Sequence, residues 1–594
     1  MKLSLKSIAV LPFVNMSNDI NNEYFCDGIT EEIINALTKV KELKVIARTS
    51  CFAFKGKNID VRKVGKQLGV ATLLEGSVRK ANNRVRITAQ LIDTKNGTHY
   101  WSKNFDRKLD NIFDLQDEIS VLIANKVREN FGHFNIDEHL VKNSTYNVAA
   151  YELFLQGRYY QLQWTSDSLN TAIEFYNKAI AKDVNYAKAY YANLQCYGLL
   201  AIWGYMPFNE ATTLAEKNFL KAKEIDTQLP EYPLSFVGKF FWGLWNFKLA
   251  YQYIQQVLSI NPNHIDGLEA MTELFIANGF FKEALVYAHK LIEVDPLSAN
   301  NHYTLANIYY YQEKYTLALA QTTNALNIRP DLVLAKNLHA FCLIWLQKKD
   351  ALKELHQKTS FYKEKILLYK VINEENTIVP NEYLEEASAE NGTSDTLISP
   401  FQIFILANSK EHQSLSFTLL SNQVKQRRGQ VINFKQEPFL KKLQSNSAFN
   451  ALHISNLLIS DISTTSKEIK ESTKEKLDCV ELQNLQETIL VYFKEEQPYL
   501  DPQLSLSSLA AYLKTTSNKV SYVINETLDG NFNEFVNNYR LQYFKELAVN
   551  PKLKHITILG LAYDSGFNSK SVFNTYFKKT EGITPSKWVK MQVK

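Results

Sequence analysis

The chain has 594 residues, 45% hydrophobic and 22% charged, and its 67 lysines and arginines against 62 aspartates and glutamates leave a net charge of +5. Such a length accommodates three or more domains with large cores, while so small a charge excludes a uniformly basic nucleic-acid coat and leaves any such contact to a local patch. Five cysteines, Cys26, Cys51, Cys196, Cys342 and Cys479, are scattered and never spaced as a Cys-x-x-Cys pair, which argues against a disulfide framework or zinc ribbon and for a reducing, cytoplasmic setting.

At the N-terminus the apolar run Ile8–Val14 spans seven residues, too short for a signal core, and reads as a strand. A helix is expected over Asp27–Leu37, a strand over Leu43–Ala47 and a helix over Val61–Leu68. Strands follow at Ala71–Val78 and Arg84–Asp93, the latter alternating through Val85, Ile87, Ala89 and Leu91. Asn96-Gly97 supplies a hairpin turn before a strand at His99–Phe105. Residues 1–140 are thus an α/β domain. The segments Ser7-Ile8-Ala9-Val10-Leu11-Pro12-Phe13, Tyr24-Phe25-Cys26-Asp27-Gly28-Ile29-Thr30, Leu74-Glu75-Gly76-Ser77-Val78-Arg79 and Trp101-Ser102 resemble the TolB-like N-terminal domain. That resemblance implies an accessory or sensory module without assigned chemistry. Asp27, Glu31 and Glu32 fit dipole partners in a first helical turn better than a catalytic carboxylate set. His99 beside Tyr100 and Trp101 fits strand packing better than a ligand site. With no Gly-rich phosphate loop and no nucleophile or metal constellation, the chain is read as a non-enzyme that needs no cofactor and no metal.

The middle, residues 145–455, reads as a repeat array. Pro262, Pro296 and Pro330 are 34 residues apart. Ala250, Ala284 and Ala318 sit 12 before them; Gly238, Thr272 and Ala306 sit 24 before. This is the tetratricopeptide period, with small residues where paired helices cross and a proline ending the second helix. Gly157 with Ala172 and Ala179, and Tyr190 with Ala211 and Ala222, mark weaker earlier units. Val431–Phe449 is expected to continue the array as late helices. A stacked array offers a protein or peptide groove, although Tyr303, Tyr309, Tyr310, Tyr311 and Tyr315 are individually better read as seam fillers. Ala189–Asn209 carries no charge over 21 residues, long enough to span a bilayer. Its polar residues, its proline and its place inside the array argue for no membrane.

Residues 456–478 shift to Ser, Thr, Lys and Glu and read as a linker. The last domain, 479–594, carries two helix-turn-helix units. In the first, Ser505 caps a helix with Leu506, Leu509, Ala510 and Leu513 inward. After the Thr515–Asn518 turn, Val520, Val523 and Ile524 face in, leaving Asn518, Lys519, Ser521, Tyr522 and Asn525 outward for phosphates and base edges. In the second, Ile558, Leu559, Leu561 and Ala562 make the supporting helix and Gly566 the turn. Asn568 or Ser569 caps a helix with Phe573, Tyr576 and Phe577 inward, so that Ser569, Lys570, Ser571, Asn574, Thr575 and Lys578 form the DNA-facing set. Between them Phe532–Leu547 reads as one helix, roughly 24 Å long at 1.5 Å per residue. Residues 570–594 carry six lysines against one acidic residue, placing positive charge where phosphates would be neutralised.

The residues Ile558-Leu559-Gly560-Leu561-Ala562, Ser565-Gly566-Phe567, Phe573, Phe577-Lys578-Lys579, Gly582 and Thr584-Pro585 resemble the DNA-binding domain of the AraC family of transcription regulators. The resemblance implies an all-α double helix-turn-helix that contacts two successive major grooves of double-stranded DNA. The chain is therefore expected to be a mainly α, multidomain, sequence-specific transcription regulator with signal-sensing upstream modules. Two alternatives stay open: an interaction scaffold whose C-terminal domain docks a protein, and an enzyme within residues 1–140. Signal, promoter, direction of regulation and oligomeric state are not encoded in these patterns.

Overall fold

The computed structural model describes the chain apart from residues 1–3, 18, 20–21, 110–111, 142–143, 164, 203–204, 375–376, 382–383, 385–399, 453–456, 458–478, 529 and 593–594. The linker expected over 456–478 falls, Leu457 aside, outside the described residues. Two compact units form. One combines residues 1–46, 54–142 and 470–594; the other combines 47–53 with 143–469.

In the first unit, strands β1 (Ser4–Val10), β2 (Val14–Asn15), β3 (Lys44–Val45), β4 (Val70–Ala81), β5 (Arg84–Asp93) and β6 (His99–Lys108) form one sheet ordered β3-β1-β4-β5-β6, with β2 also on β4. β1 is parallel to β3 and β4, while β4, β5 and β6 run antiparallel. Ile8, Ala9 and Val10 are fully buried, as a strand covered on both faces requires. β5 instead alternates: Val85, Ile87, Ala89 and Leu91 point in, and Arg84 and Arg86 reach outward to Asp106 of β6 at 2.6 and 2.7 Å. The β5–β6 connection is longer than a two-residue hairpin turn. It runs from Thr94 to Thr98, with Gly97 at φ +74°.

Helix Val61–Leu68 is found as expected, whereas the first helix, Glu23–Thr38, begins four residues before Asp27; Asp27, Glu31 and Glu32 therefore lie beyond its first turn, and Asp27 pairs with Lys55 at 2.6 Å instead of serving the helix dipole. A third, Ile112–Phe131, was not anticipated. Its inward residues Ile112, Leu115, Ile119, Ile123 and Val127 follow the helical period, and it packs beside Glu23–Thr38 and the sheet.

The second unit is built from helix pairs. Helices begin at Phe247, Phe281, Tyr315 and Lys349, and their partners at Ile265, Ala299 and Val333, both in steps of 34 residues. Ala250, Ala284, Ala318, Thr272 and Ala306 are fully buried at the crossings. Three helices end two residues before Pro262, Pro296 and Pro330. Earlier pairs are Val148–Gln161 with Ser166–Lys182 and Ala187–Ile202 with Phe208–Ile225. A methyl group on Gly157 would lie 2.6 Å from the Tyr176 ring, which explains the small residue. The uncharged stretch at 189–209 is divided between two of these helices, and among the described residues no helix is long and apolar enough to cross a membrane.

The expected late helices at Val431–Phe449 are corrected by the structure. In place of long paired helices this region has short 3₁₀ turns at Gly429–Val431 and Pro438–Leu443 and a single α-helical turn at Ser447–Asn450. They pack on helix ends of the array rather than extending it. Gln436 donates to the Ala277 carbonyl (3.1 Å), Tyr310 donates to the Glu437 carboxylate (2.6 Å), and Asn433 donates to the Tyr311 hydroxyl (3.3 Å). The tyrosines fill seams: Tyr315 stacks on Trp345 and Tyr310 packs on Phe341 and Phe439. Residues 47–53 belong to this unit through Ala47, whose N–H donates to the Val294 carbonyl (2.7 Å), and Ser50, whose N–H donates to Asp295 (3.0 Å).

Candidate nucleic-acid interface

In both helix-turn-helix units, and in the helix that bridges them, a side-chain cap opens each helix and sets the turn lengths. Ser505 and Ser508 box the first supporting helix, Leu506–Tyr512; Thr516 caps the first reading helix, Ser517–Thr527. Asn531 and Glu534 box the bridging helix, Phe532–Val549. Thr557 caps the second supporting helix, Ile558–Asp564, and Ser569 caps the second reading helix, Lys570–Glu581. Each cap satisfies an otherwise orphaned N–H and contributes about 1 kcal/mol.

Two apolar clusters hold these helices. Leu506, Leu509, Val520, Val523 and Ile524 close on Ile489 and Phe493 of the leading helix, Cys479–Glu495, and Leu561, Ala562, Phe567, Phe573 and Phe577 form the second cluster. The bridging helix serves both, giving Phe532, Phe535 and Val536 to the first and Leu541 and Phe544 to the second. Arg540, between these sets, is buried and donates to the carbonyls of Tyr499 (2.7 Å) and Asp501 (2.8 Å). Burial pushes its guanidinium down to about 10, still charged at neutral pH.

The second reading helix presents the expected set to solvent. Lys570, Ser571, Asn574, Thr575 and Lys578 are exposed. Ser569 is partly covered because its hydroxyl accepts the Val572 N–H (3.2 Å) as the cap. Tyr576 lies half-buried and donates to the Glu534 carbonyl (3.1 Å), and Lys579 pairs with the Glu534 carboxylate at 2.6 Å, so the far edge of the helix is pinned to the bridging helix. Asn574, Thr575, Lys578 and Lys579 line an open cleft of about 670 Å³ together with Lys95 of the β5–β6 connection. Sequence reading missed Lys95, because a lysine in a surface turn carries no local sign of a partner roughly 480 residues further on.

The first reading helix differs. Asn518, Ser521, Tyr522 and Asn525 form an i, i+3, i+4, i+7 stripe, outward with respect to their own bundle, yet none is exposed. Ser521, expected to face solvent, is buried at 2% exposure. The reason is a second neighbour: residues 128–136, the end of helix Ile112–Phe131 and the chain after it. Arg128 and the Ile136 N–H (3.2 Å) both donate to Asn518 Oδ1, and Asn518 Nδ2 donates back to the Ile136 carbonyl (3.2 Å). The His133 ring meets Tyr522 edge-on at 5.4 Å. A methyl group on Gly132 would lie 3.0 Å from Asn525 Oδ1. Alongside, Glu129 accepts the Leu506 N–H (3.0 Å) and Asn533 donates to Asn130 (2.8 Å). Burial, with Arg128 and Lys6 nearby, pushes His133 down to about 4, so its ring is neutral at physiological pH. Lys519 is partly covered as well. Arg128 and Glu129 carry no assignment in the sequence reading, since a charged pair gives no local sign of partners roughly 380 residues further on.

Residues 509–591 match the family model described as a helix-turn-helix domain, and residues 4–122 match the model of the HilA/YgeH-like transcriptional regulator, second domain. The class follows: the chain carries domains of DNA-binding transcription regulators around a tetratricopeptide array, and its C-terminal domain is a helix-turn-helix domain of the AraC type. For the N-terminal region, whose sequence resembles a TolB-like domain, the matching model is the HilA/YgeH-like one instead. The chain is similar to putative adenylate cyclase 3 of Rhizobium meliloti (strain 1021), 45% identical over 184 residues, or 31% of this chain and 31% of that protein. It is also similar to tetratricopeptide repeat protein 17 of Homo sapiens, 26% identical over 119 residues, or 20% of this chain and 10% of that protein. It thus spans under a third of the first relative's length and a tenth of the second's. Among solved structures, similarity extends to YrrB, a TPR protein with an unusual peptide-binding site (24% identity, 33% of this chain and 98% of that one, TM-score 0.21). It extends also to lipoprotein GNA1162 from Neisseria meningitidis (22% identity, 17% and 80%, TM-score 0.15).

Proposed function

We propose that this protein is a cytoplasmic, non-enzymatic, sequence-specific regulator of transcription. Its C-terminal domain reads double-stranded DNA, and its N-terminal and repeat modules receive a signal, with a protein or peptide partner on the array. The observation that carries the reading is the exposed stripe Lys570, Ser571, Asn574, Thr575 and Lys578 on a helix fixed by Phe573 and Phe577. A rigid helix with polar groups flanked by lysines has what a major groove requires: amides and hydroxyls for base edges and ammonium groups for phosphates. In this assignment Asn574 reads a base, Lys578 neutralises a phosphate, and Lys95 adds a second phosphate contact from the same cleft.

The test is selection from random DNA pools by the full chain at two salt concentrations. Asn574→Ala is expected to cost about 1–3 kcal/mol on the selected sequence and little elsewhere, whereas Lys578→Ala weakens binding to all sequences and lowers the salt slope by about one. A chain that enriches no sequence, and binds no DNA at low salt, would leave a protein-docking scaffold as the function.

A further inference from the structure

We propose that residues 128–136 are a built-in competitor of DNA: they occupy the reading stripe of the first helix, so that the first helix-turn-helix unit engages a groove only after this segment has moved away. The inference rests on the DNA-binding reading above and adds its regulation.

The geometry at Asn518 carries it. One carboxamide accepts a hydrogen bond from the Ile136 N–H and donates one to the Ile136 carbonyl, each at 3.2 Å. An adenine presents the same pair in the major groove, an amino group that donates and a ring nitrogen that accepts, and asparagine is the side chain that pairs with both. The Ile136 main chain therefore satisfies Asn518 as an adenine edge would, and the same amide cannot serve both. The rest of the stripe is used likewise: His133 lies against Tyr522, Gly132 against Asn525, and Ser521 between them is closed off from solvent. Arg128 adds a further, charged donor to Asn518, and Glu129 and Asn130 fasten the segment to Leu506 and Asn533. The second reading helix has no such cover over its stripe among the described residues. The two units of one domain thus differ in state, one open and one occupied.

The cover reduces apparent affinity by the fraction of molecules in which it is released. Footprinting of the full chain on a selected DNA site tests this, wild type against the double variant Asn130→Ala/His133→Ala, which removes the bond to Asn533 and the ring against Tyr522 while leaving every DNA-facing residue in place. The wild-type chain is expected to protect one major groove. The variant is expected to bind about tenfold more tightly and to protect a second groove about ten base pairs away. Should the variant fold poorly, hydrogen exchange of the wild-type chain decides: the Ile136 and Leu506 amides, whose bonds cross to Asn518 and Glu129, should lose protection as DNA at rising concentration displaces the segment. A wild-type footprint over two grooves with these two amides still protected overturns the cover, as does a folded variant with an unchanged footprint. Absence of DNA binding by both chains overturns the regulator reading and the cover with it; binding with an unchanged footprint overturns the cover alone.

Discussion

Gly566 and Gly582 both sit at positive φ, +87° and +72°, and both are visible in the sequence as turn glycines, yet they answer to different constraints. At Gly582, the C-cap of the second reading helix, an added methyl group would meet nothing within 4 Å, so Gly582→Ala costs only the left-handed backbone, about 1–2 kcal/mol. At Gly566 the methyl group would lie 2.1 Å from the Tyr499 carbonyl oxygen and 2.9 Å from the Leu500 Cα. Backbone cannot swing aside like a side chain, so Gly566→Ala should separate the second supporting helix from the Pro498–Leu500 turn and cost more than about 4 kcal/mol, beyond the usual range for one substitution. Thermal melting of the two variants checks the ranking. Equal losses would mean that conformation alone, and not close approach, explains Gly566.

At the scale of elements, the array repeats a backbone feature that its sequence does not repeat. Trp245, Gly279, Glu313 and Gln347, each 34 residues from the next, all take positive φ in the turn between helices, although only one is glycine. Three of the four turns therefore hold a side chain in the left-handed region, which costs about 1–2 kcal/mol each. Gln347 is exposed, so Gln347→Gly removes strain without removing packing. It should raise the stability of that repeat by up to about 1 kcal/mol after the entropy of glycine is deducted, read as a later transition in urea. A variant that melts earlier would show that the turn is not strained. The same contrast explains what could be read in advance. Proline period and small residues at crossings are local signals that located the paired helices, and apolar spacing with the Ser505 and Ser569 caps set both helix-turn-helix units within about two residues. The turns at 429–450 were misread as helices because their apolar residues, among them Phe434, Phe439 and Phe449, are spaced for contact with the array and only by coincidence resemble an amphipathic period. Helix Ile112–Phe131 had its period in plain view; what remained illegible was the use of Arg128 and Asn130 against residues roughly 400 positions away.

Across the whole molecule, sequence order and spatial grouping part company: residues near both ends belong to one unit, and residues 47–53 join the array instead of their neighbours. Long-range pairings of this kind leave no periodic trace, but they bury groups whose titration betrays them. Asp295, 2% exposed, accepts from the N–H and hydroxyl of Ser50, and Glu437, 6% exposed, accepts from Tyr310 and the Phe439 N–H. These bonds favour the carboxylates, but burial outweighs them, raising Asp295 from 3.8 to about 6 and Glu437 from 4.5 to about 7. Both folded values lie above the unfolded ones, so the fold binds protons that the unfolded chain has released. The stabilisation is complete below about pH 4, declines as pH rises through 6 and 7, and is lost above. Each tenfold gain in proton affinity on folding is worth about 1.4 kcal/mol, so the two groups together contribute a few kcal/mol. Hydrogen exchange over helix Ala299–Tyr311, which donates Tyr310 and begins four residues after Asp295, should therefore be slower at pH 5 than at pH 8 once the intrinsic pH dependence of exchange is removed. In the double variant Asp295→Asn/Glu437→Gln that difference should shrink to the part left by Glu269 and Glu273 of the neighbouring helix Ile265–Ala277, which burial raises as well. Greater protection at pH 8 in the wild-type chain would reverse the sign and show that the hydrogen bonds, not burial, govern these two carboxylates.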